Sequence, residues 1–333
     1  MAAMQYSVTA IVVSYNRAQL LGECLDGILG QTRRPDRIII VDNASTDGAR
    51  QVARDFADHS PIRTEVVALP RNVGGAGGFC AGIAVAAGKG RHDYRPTPGV
   101  VEYLWLMDDD TVPTPNALAA LLDASDLCIE TNGCMPTVLG SKAVWVDGRE
   151  HRMNRPRPRA ALAKGARRMR GGAFQVRSLS FVSCLINVGA VRGLHRLPIS
   201  AFFLWNDDFE YTSALLRNGV GYYVPTSEVV HKTKKFGSSD ADPGARFYNE
   251  VRNKIWMFRF CGGDFTPAGR LTLLLKTARR WAFTWLRAGD RAQITQCLRD
   301  GWRDGWATRP ESNLAIFADA YPPIATYIGW IED

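Results

Sequence analysis

Residues 103–111 read YLWLMDDDT, an apolar and aromatic run that stops abruptly at Asp108, Asp109 and Asp110. Thr111 and Pro113 follow and should close off any further strand. An apolar run bounded in this way predicts a buried strand of an α/β sheet. Three carboxylates at its C-terminal end then fall where open α/β folds place ligands. Like charges this close raise one another's pKa unless a cation or solvent neutralises them. Hard divalent ions such as Mg²⁺ or Mn²⁺ take carboxylate oxygens and share them with substrate phosphates. Taken alone, the triplet reads more simply as a solvated acidic turn, so the flanking sequence has to decide.

Upstream, residues 8–14 are apolar and β-branched and predict a first strand, broken by Tyr15, Asn16 and Arg17. Leu20, Leu21, Cys24, Leu25, Ile28 and Leu29 then repeat at helical spacing. Residues 37–41 read as a second strand, and the turn over 42–48 offers Ser45 and Thr46 as caps for the next helix. Residues 65–69 are a third strand, 70–79 a glycine-rich loop, and 81–87 helical. Residues 100–107 complete a fourth strand, with a helix over 115–124 behind it. This alternation predicts parallel βαβ units with right-handed crossovers, a nucleotide-binding half. Further strands are expected at 137–139, 144–146, 173–176, 181–186, 222–224 and 228–231. Short helices are expected at 189–194 and from Trp205 through Leu216, and long ones at 246–259, 270–287 and 291–302. The expected organisation is a catalytic domain over 1–236 and a helical region over 237–333.

With 333 residues, 46% hydrophobic and 22% charged, the chain can bury a large core. Its seven cysteines (24, 80, 128, 134, 184, 261 and 297) form no CxxC pair. That predicts reduced thiols in the cytosol, not a disulfide frame or zinc site. The start, MAAMQYSVTAIVVSYN, lacks a basic region ahead of its apolar run, so no signal peptide is expected. Nor does the chain contain the run of about eighteen apolar residues that a spanning helix needs. The net charge of +8 sits in one segment: residues 149–170 hold nine Lys or Arg against Glu150, and the remainder is balanced. A nucleic-acid binder would carry its basic face on folded elements, so no nucleic acid is expected. The segment suits an anionic surface or substrate, while Pro156 and Pro158 equally predict a solvated, poorly ordered loop.

Singly, the remaining signals are weak. NVGGAGG (72–78) lacks the Lys-Ser/Thr of a phosphate loop and the GxGxxG register. His231 alone is more simply structural, and Asp207 and Asp208 alone are a favourable charge at a helix N-terminus. Together and in order, however, VVSYNR (12–17), VDNASTDG (41–48), MDDDT (107–111), NDDFEY (206–211) and His231 form a pattern. The chain resembles glycosyltransferase family 2, with the GT-A fold, over about residues 8–260. RNVGGAGGF (71–79), WLMDDDT (105–111) and WNDDFEY (205–211) followed by His231 are most similar to the bacterial galactofuranosyltransferases of arabinogalactan synthesis. The short chain and early start of the GT-A segment match the type that begins the galactan.

The resemblance implies an α/β GT-A fold, a Rossmann-like mixed sheet with helices on both faces, followed by a helical region. Ser14, Tyr15, Arg17, Asp42 and Asn43 would hold uridine, with Asp109 also on the nucleotide side. Arg71, Asn72, Gly74 and Gly75 would pass the diphosphate and donor sugar. Asp110 and His231 would ligate Mn²⁺ or Mg²⁺, and Asp108 would approach the ribose and the metal. Asp208 would be the general base, with Asp207 retained because Asn206 shifts the register. Trp205, Glu210, Lys232, Tyr248, Arg252 and Asn253 would meet the acceptor. The implied donor is UDP-galactofuranose and the acceptor a rhamnose-terminated, polyprenyl-diphosphate-linked glycan at the inner face of the plasma membrane; self-association stays open.

Three other readings compete. A family 2 rhamnosyltransferase using dTDP-rhamnose has the same motifs. A haloacid-dehalogenase-type phosphatase would use Asp108 as nucleophile and Asp207 and Asp208 for Mg²⁺, but its nucleophile ends the first strand, not the fourth. A binding module would need no base at all. Finally, residues 270–287 place Leu271, Leu274, Leu275, Ala278, Trp281, Ala282 and Trp285 on one helical side, with Lys276, Arg279, Arg280 and Arg287 outside it. That pattern fits both a membrane-interface helix and a docked core helix.

Overall fold

The computed structural model describes residues 4–88, 93–159, 168–234, 236 and 243–333. Strand β1 (Gln5–Ser14), helix α1 (Ala18–Leu29), β2 (Arg37–Asp42), α2 (Ala49–His59) and β3 (Arg63–Ala68) open the chain. Helix α3 (Gly74–Gly88), β4 (Val100–Asp108), β5 (Thr111–Pro113) and α4 (Ala117–Asn132) follow. β1 pairs in parallel with β2 and β4, and β2 with β3, as the alternating pattern predicts. Along β1, Ile11 and Val13 enter one core while Val8, Ala10 and Val12 enter the other. That two-residue alternation under two helical layers is why the strand is apolar throughout.

The second half turns the sheet mixed. β6 (Val138–Val144), β7 (Phe174–Gln175), β8 (Cys184–Asn187), α5 (Val188–Leu194), α6 (Asp207–Asn218) and β9 (Gly221–His231) complete it. The sheet order is β3-β2-β1-β4-β8-β6-β9-β5, with β7 against β9. β8 runs antiparallel to both β4 and β6, β9 parallel to β6, and β5 antiparallel to β9. Two pairs of expected short strands each prove continuous, as β6 and β9; the latter bulges where Ser141 pairs Val224 and Lys142 pairs Glu228.

Two local expectations are corrected. The glycines at 74–78 are not a loop but the first turns of α3. A Cβ at Gly78 would lie 2.5 Å from Val13 Cγ1, and one at Gly74 (φ 74°) only 1.9 Å from the Phe203 carbonyl oxygen. Close packing against β1 and the 203 loop, not flexibility, therefore demands glycine there. Ser45 and Thr46 do not cap α2; its N-cap is Gly48 at φ 95°, while Asp47 Oδ1 accepts from Ala49 N at 3.0 Å.

Helices α7 (Phe247–Phe260), α8 (Pro267–Arg287), α9 (Arg291–Ala307), α10 (Asn313–Ala320) and α11 (Pro322–Glu332) end the chain. The sequence pattern missed the last two. Ile316, Phe317, Ile324, Ile328 and Ile331 return to the core that α3 shares with β1, β2 and β4. All seven cysteines are free thiols.

Candidate active site

The strand order reverses direction between β1 and β4, and there Val13 stands opposite Asp108. A crevice at such a reversal is the expected ligand position of an open α/β sheet. The chain then does what Pro113 argued against: Thr111–Pro113 forms a short strand on β9. Its register sets Thr111 opposite His231, and Lys232 N donates to the Asp110 carbonyl at 2.7 Å. One antiparallel pairing thus carries a histidine from about 120 residues downstream to the acidic triplet.

Asp109 is held to the end of β1. Its Oδ2 accepts from Ser14 Oγ at 2.9 Å and from Tyr15 N at 3.1 Å. Arg17 Nη1 reaches Asp109 Oδ1 at 3.1 Å and Asp110 Oδ2 at 2.6 Å. Asp110 Oδ1 is buried without a hydrogen-bond partner, and His231 Nε2 stands 3.3 Å from it. Burial, then the neighbouring Asp110 and Asp109, push the Asp108 carboxyl well above its usual range. Burial raises Asp109 to about 6 against the opposing Arg17. Burial works in the same direction on Asp110, yet His231 and Arg17 outweigh it and hold that group low. An orphaned carboxylate oxygen beside an imidazole nitrogen, with a second carboxylate wanting positive charge, is a donor set that fits a divalent cation.

The sequence reading missed Asn154, whose Oδ1 lies 3.0 Å from His231 Nδ1. With a cation bound in place of the Nε2 proton, an Nδ1–H donated to that carbonyl would leave the Nε2 lone pair on the Asp110 side, the arrangement ligating histidines adopt. His151 packs tilted against the same ring with centroids 5.1 Å apart, and its Nε2 lies 3.0 Å from Thr233 Oγ1. Both residues belong to the segment read as a poorly ordered basic loop. Within the described part of that segment His151 and Asn154 instead lie against His231, the Arg149 guanidinium is 4.3 Å over the Phe236 ring and Arg155 pairs with Glu150. The rest of that loop up to 167 lies outside the described residues.

The second acidic group sits at the start of α6. Three non-glycine residues just before it, Phe203, Trp205 and Asn206, have φ between 62° and 68°, strain of the kind functional sites retain. Beneath them Asn206 Nδ2 donates to Glu250 Oε2 at 2.9 Å, and the buried Lys254 ammonium donates to Asn206 Oδ1. Asp207 is almost sealed and Asp208 half-buried. Burial and then the Asp208 charge raise Asp207 to about 8, and the charge of Asp207 in turn adds to the raised Asp108. Burial also raises Asp208, while Lys254 opposes it. The charge of Asp207 is thus felt at the acidic triplet.

A stability consequence follows for Asp207. Its folded pKa of about 8 exceeds its ordinary value of 3.8, so the native state holds the proton more tightly than the unfolded chain. That stabilisation is complete below 3.8 and is lost as pH rises through about 8. An Asp207→Asn variant should match the wild-type Tm at pH 4 and exceed it at pH 8. Differential scanning calorimetry across that range checks it, and identical pH slopes for the two proteins would contradict the buried carboxyl.

Several of the residues expected to contact ligands also have partners within the protein. Asp42 is fully buried, bound by Arg50 Nε at 2.6 Å and Ser45 N at 3.1 Å. Asn43 ties β2 to α3: Val73 N donates to its Oδ1, and its Nδ2 donates to the Gly74 carbonyl, both at 2.9 Å. Asn72 Oδ1 accepts from Gly74 N at 2.8 Å, and Arg71 donates to the Ile316 carbonyl at 3.1 Å. Gly75 has open space around it. Glu210 is fully buried and bound by Arg196 Nη1 at 2.7 Å. Cys261 and Asp264 lie beside it, but Arg196 also reaches Asp264 at 3.4 Å and supplies that cluster's positive charge. Asn253 is buried and donates to the carbonyls of Phe202, Leu204 and Trp205, while Arg252 donates to those of Ala201 and Phe202. These two hold the strained loop in place. Tyr248 donates to Asp304 Oδ2 at 2.9 Å, and Lys232 pairs with Glu23. Trp205 lies 5.8 Å beneath the Arg246 guanidinium and borders the acidic pair.

The family model for glycosyl transferase family 2 matches residues 9–182, from β1 to the edge of β8. The chain belongs to that family. It is 35% identical over 115 residues to Galactofuranosyltransferase GlfT1 of Mycolicibacterium smegmatis, covering 34% of this chain and 33% of that one. Against the protein of the same name from Mycobacterium tuberculosis it is 38% identical over 108 residues, covering 32% and 31%. These matches span about a third of the length of the curated relatives. Among solved structures, S. aureus TarS 1-349 in complex with UDP-GlcNAc gives a TM-score of 0.58 at 17% identity, over 98% of this chain and 90% of that one. The mannosyltransferase PcManGT from Pyrobaculum calidifontis, in complex with GDP-Man and Mn²⁺, gives 0.54 at 18% identity, over 99% and 88%. The fold is thus the GT-A arrangement, and the family 2 chain is a glycosyltransferase. The phosphatase reading of LMDDDTV falls with that finding.

Proposed function

We propose that this family 2 enzyme is an inverting, metal-dependent galactofuranosyltransferase. It moves galactofuranose from UDP-galactofuranose to a rhamnose-terminated, polyprenyl-diphosphate-linked acceptor in cell-wall galactan synthesis. The observation that carries this reading is the approach of His231 Nε2 to the orphaned Asp110 Oδ1 at 3.3 Å, with the Asp110 charge among those that raise Asp108. The likeness to galactofuranosyltransferases over a third of the chain supports the choice of sugar.

Asp110, His231 and Asp108 would hold Mn²⁺ or Mg²⁺, the imidazole favouring Mn²⁺. Bound there, the ion supplies Lewis-acid neutralisation of charge developing on the diphosphate. Ser14, Tyr15 and Arg17 keep Asp109 and Asp110 fixed at the end of β1, and the half-exposed Arg17 guanidinium would face the nucleotide. Asp208, less sealed than Asp207, accepts the proton of the acceptor hydroxyl. The hydroxyl oxygen bonds to the anomeric carbon, the bond to UDP breaks, and UDP leaves with the electron pair. A single displacement of this kind inverts the anomeric centre. The acceptor's polyprenyl tail assigns the work to the cytoplasmic face of the plasma membrane.

Incubation with a panel of nucleotide sugars and Mn²⁺, followed by nucleotide release, tests the donor. Release should be fastest from UDP-galactofuranose. Faster release from dTDP-rhamnose would make the enzyme a rhamnosyltransferase, and no release from any donor or acceptor pair would overturn the catalytic reading.

A further inference from the structure

Helix α8 settles a question its sequence leaves open. Its apolar stripe could have been its docked side, but apart from Trp281, which is half-buried against Phe247 and its neighbours, the structure docks the opposite one. Leu273 and Thr277 are buried, and Leu273 joins Trp256, Met257 and Phe265 in a small core under the helix. Leu271, Leu274, Leu275 and Leu286 face outward and are 59, 51, 63 and 53% exposed. With Ala278, Ala282 and Trp285 they form a stripe about a third of the circumference wide and roughly 22 Å long. Four outward leucines on one helix are more than scattered surface apolar residues require, and mark an interaction site.

We propose that this face of α8 lies in the interface of an anionic lipid bilayer, with the helix axis in the membrane plane. The proposal deepens the membrane location suggested above by naming the element that makes the contact. Charge selects the occupant. Residues 267–287 contain no Asp or Glu and five basic residues, Arg270, Lys276, Arg279, Arg280 and Arg287. Arg280 turns inward, 3.9 Å from Glu250, and helps seat the helix. Arg279 borders one edge of the stripe, Lys276 and Arg287 lie farther round beside the exposed Phe283, and the Arg291 guanidinium sits 5.2 Å over Trp285 at the other edge. Cations flanking an apolar stripe that ends in tryptophan match lipid phosphates above acyl chains. A second copy docked by a two-fold axis would set these cations against themselves. Crossing the bilayer is a different matter: no helix among the described residues is long and apolar enough for it.

Flotation of the full chain with vesicles, in the absence of any nucleotide sugar, tests this independently of catalysis. The protein should float with vesicles of equal parts phosphatidylglycerol and phosphatidylcholine, and far less with pure phosphatidylcholine. The triple variant Leu271→Ser, Leu274→Ser, Leu275→Ser should bind the anionic vesicles about tenfold or more weakly. Its melting temperature should change little and its nucleotide release not at all, because the three side chains are more than half exposed, belong to no buried cluster and lie outside the acidic site. Lys276→Gln with Arg279→Gln and Arg287→Gln should remove the preference for the anionic lipid. Wild type that fails to float overturns the proposal, as does a triple serine variant that floats equally. So does a wild-type dimer in sedimentation that the serine variant dissociates, since the occupant would then be a second copy.

Discussion

In an Asp110→Ala variant, Mn²⁺ is expected to stop tightening UDP binding. The wild-type site offers one orphaned carboxylate oxygen beside an imidazole nitrogen, and the substitution removes the oxygen. Loss of a group that merely orients a ligand costs about 10- to 100-fold in metal affinity, so loss of a ligand itself should exceed that. The backbone bond from Lys232 N to the Asp110 carbonyl survives the change, so the β5–β9 pairing should persist. Asn154→Ala gives the intermediate case, because it frees the His231 ring without deleting a donor. Isothermal titration of UDP with and without Mn²⁺ separates the three proteins. Without metal they should bind alike; with metal the order should be wild type, Asn154→Ala, Asp110→Ala. Equal metal enhancement in wild type and Asp110→Ala would remove Asp110 from the site.

What could be read from sequence, and what could not, divides along the range of the interactions. Strands buried on both faces are apolar throughout, so β1, β2 and β4 announce themselves, and the abrupt stop at Asp108 marks the ligand end of the sheet. His231 was legible only as one motif in an ordered series. The geometry that gives it meaning is the pairing of Thr111–Pro113 with β9, which a proline near a strand end argues against. Asn154 was hidden because its one informative bond spans 77 residues and lies in a segment dominated by arginine and proline. In the sequence Asn43 looks like a contact for uridine, and Asn253 and Glu210 like contacts for an acceptor. Their partners are backbone carbonyls and Arg196, found only once distant segments meet. Glycines at 74–78 suggest a loop by propensity, yet the need for β1 and the 203 loop to approach closely makes them a helix start. The α8 stripe shows the limit of periodicity itself. A 3.6-residue repeat gives the direction of an apolar face but not whether protein or something else covers it.

Asp208→Asn should retain UDP and metal binding and lose turnover by about 10²- to 10⁴-fold, the range spanned by a general base. A fall in kcat with KM nearly unchanged would show that the carboxylate acts in the transition state and not in binding the ground state. The pH profile supplies a second readout. Burial raises the Asp208 pKa, and the protonated form cannot accept the hydroxyl proton. Wild-type rate should therefore climb with pH through a limb lying above the usual carboxylate range, and the variant's residual rate should lack it. Lys254 lowers that pKa by its charge, so Lys254→Met should move the limb to higher pH while leaving the base in place. Asp207→Asn is the control for register. It removes the more deeply sealed carboxyl and should lose less turnover than Asp208→Asn, because a base must touch an incoming hydroxyl and Asp207 is nearly closed off. If the two losses are reversed, Asp207 is the base and Asp208 serves to raise its pKa, which the mutual repulsion at the start of α6 already permits.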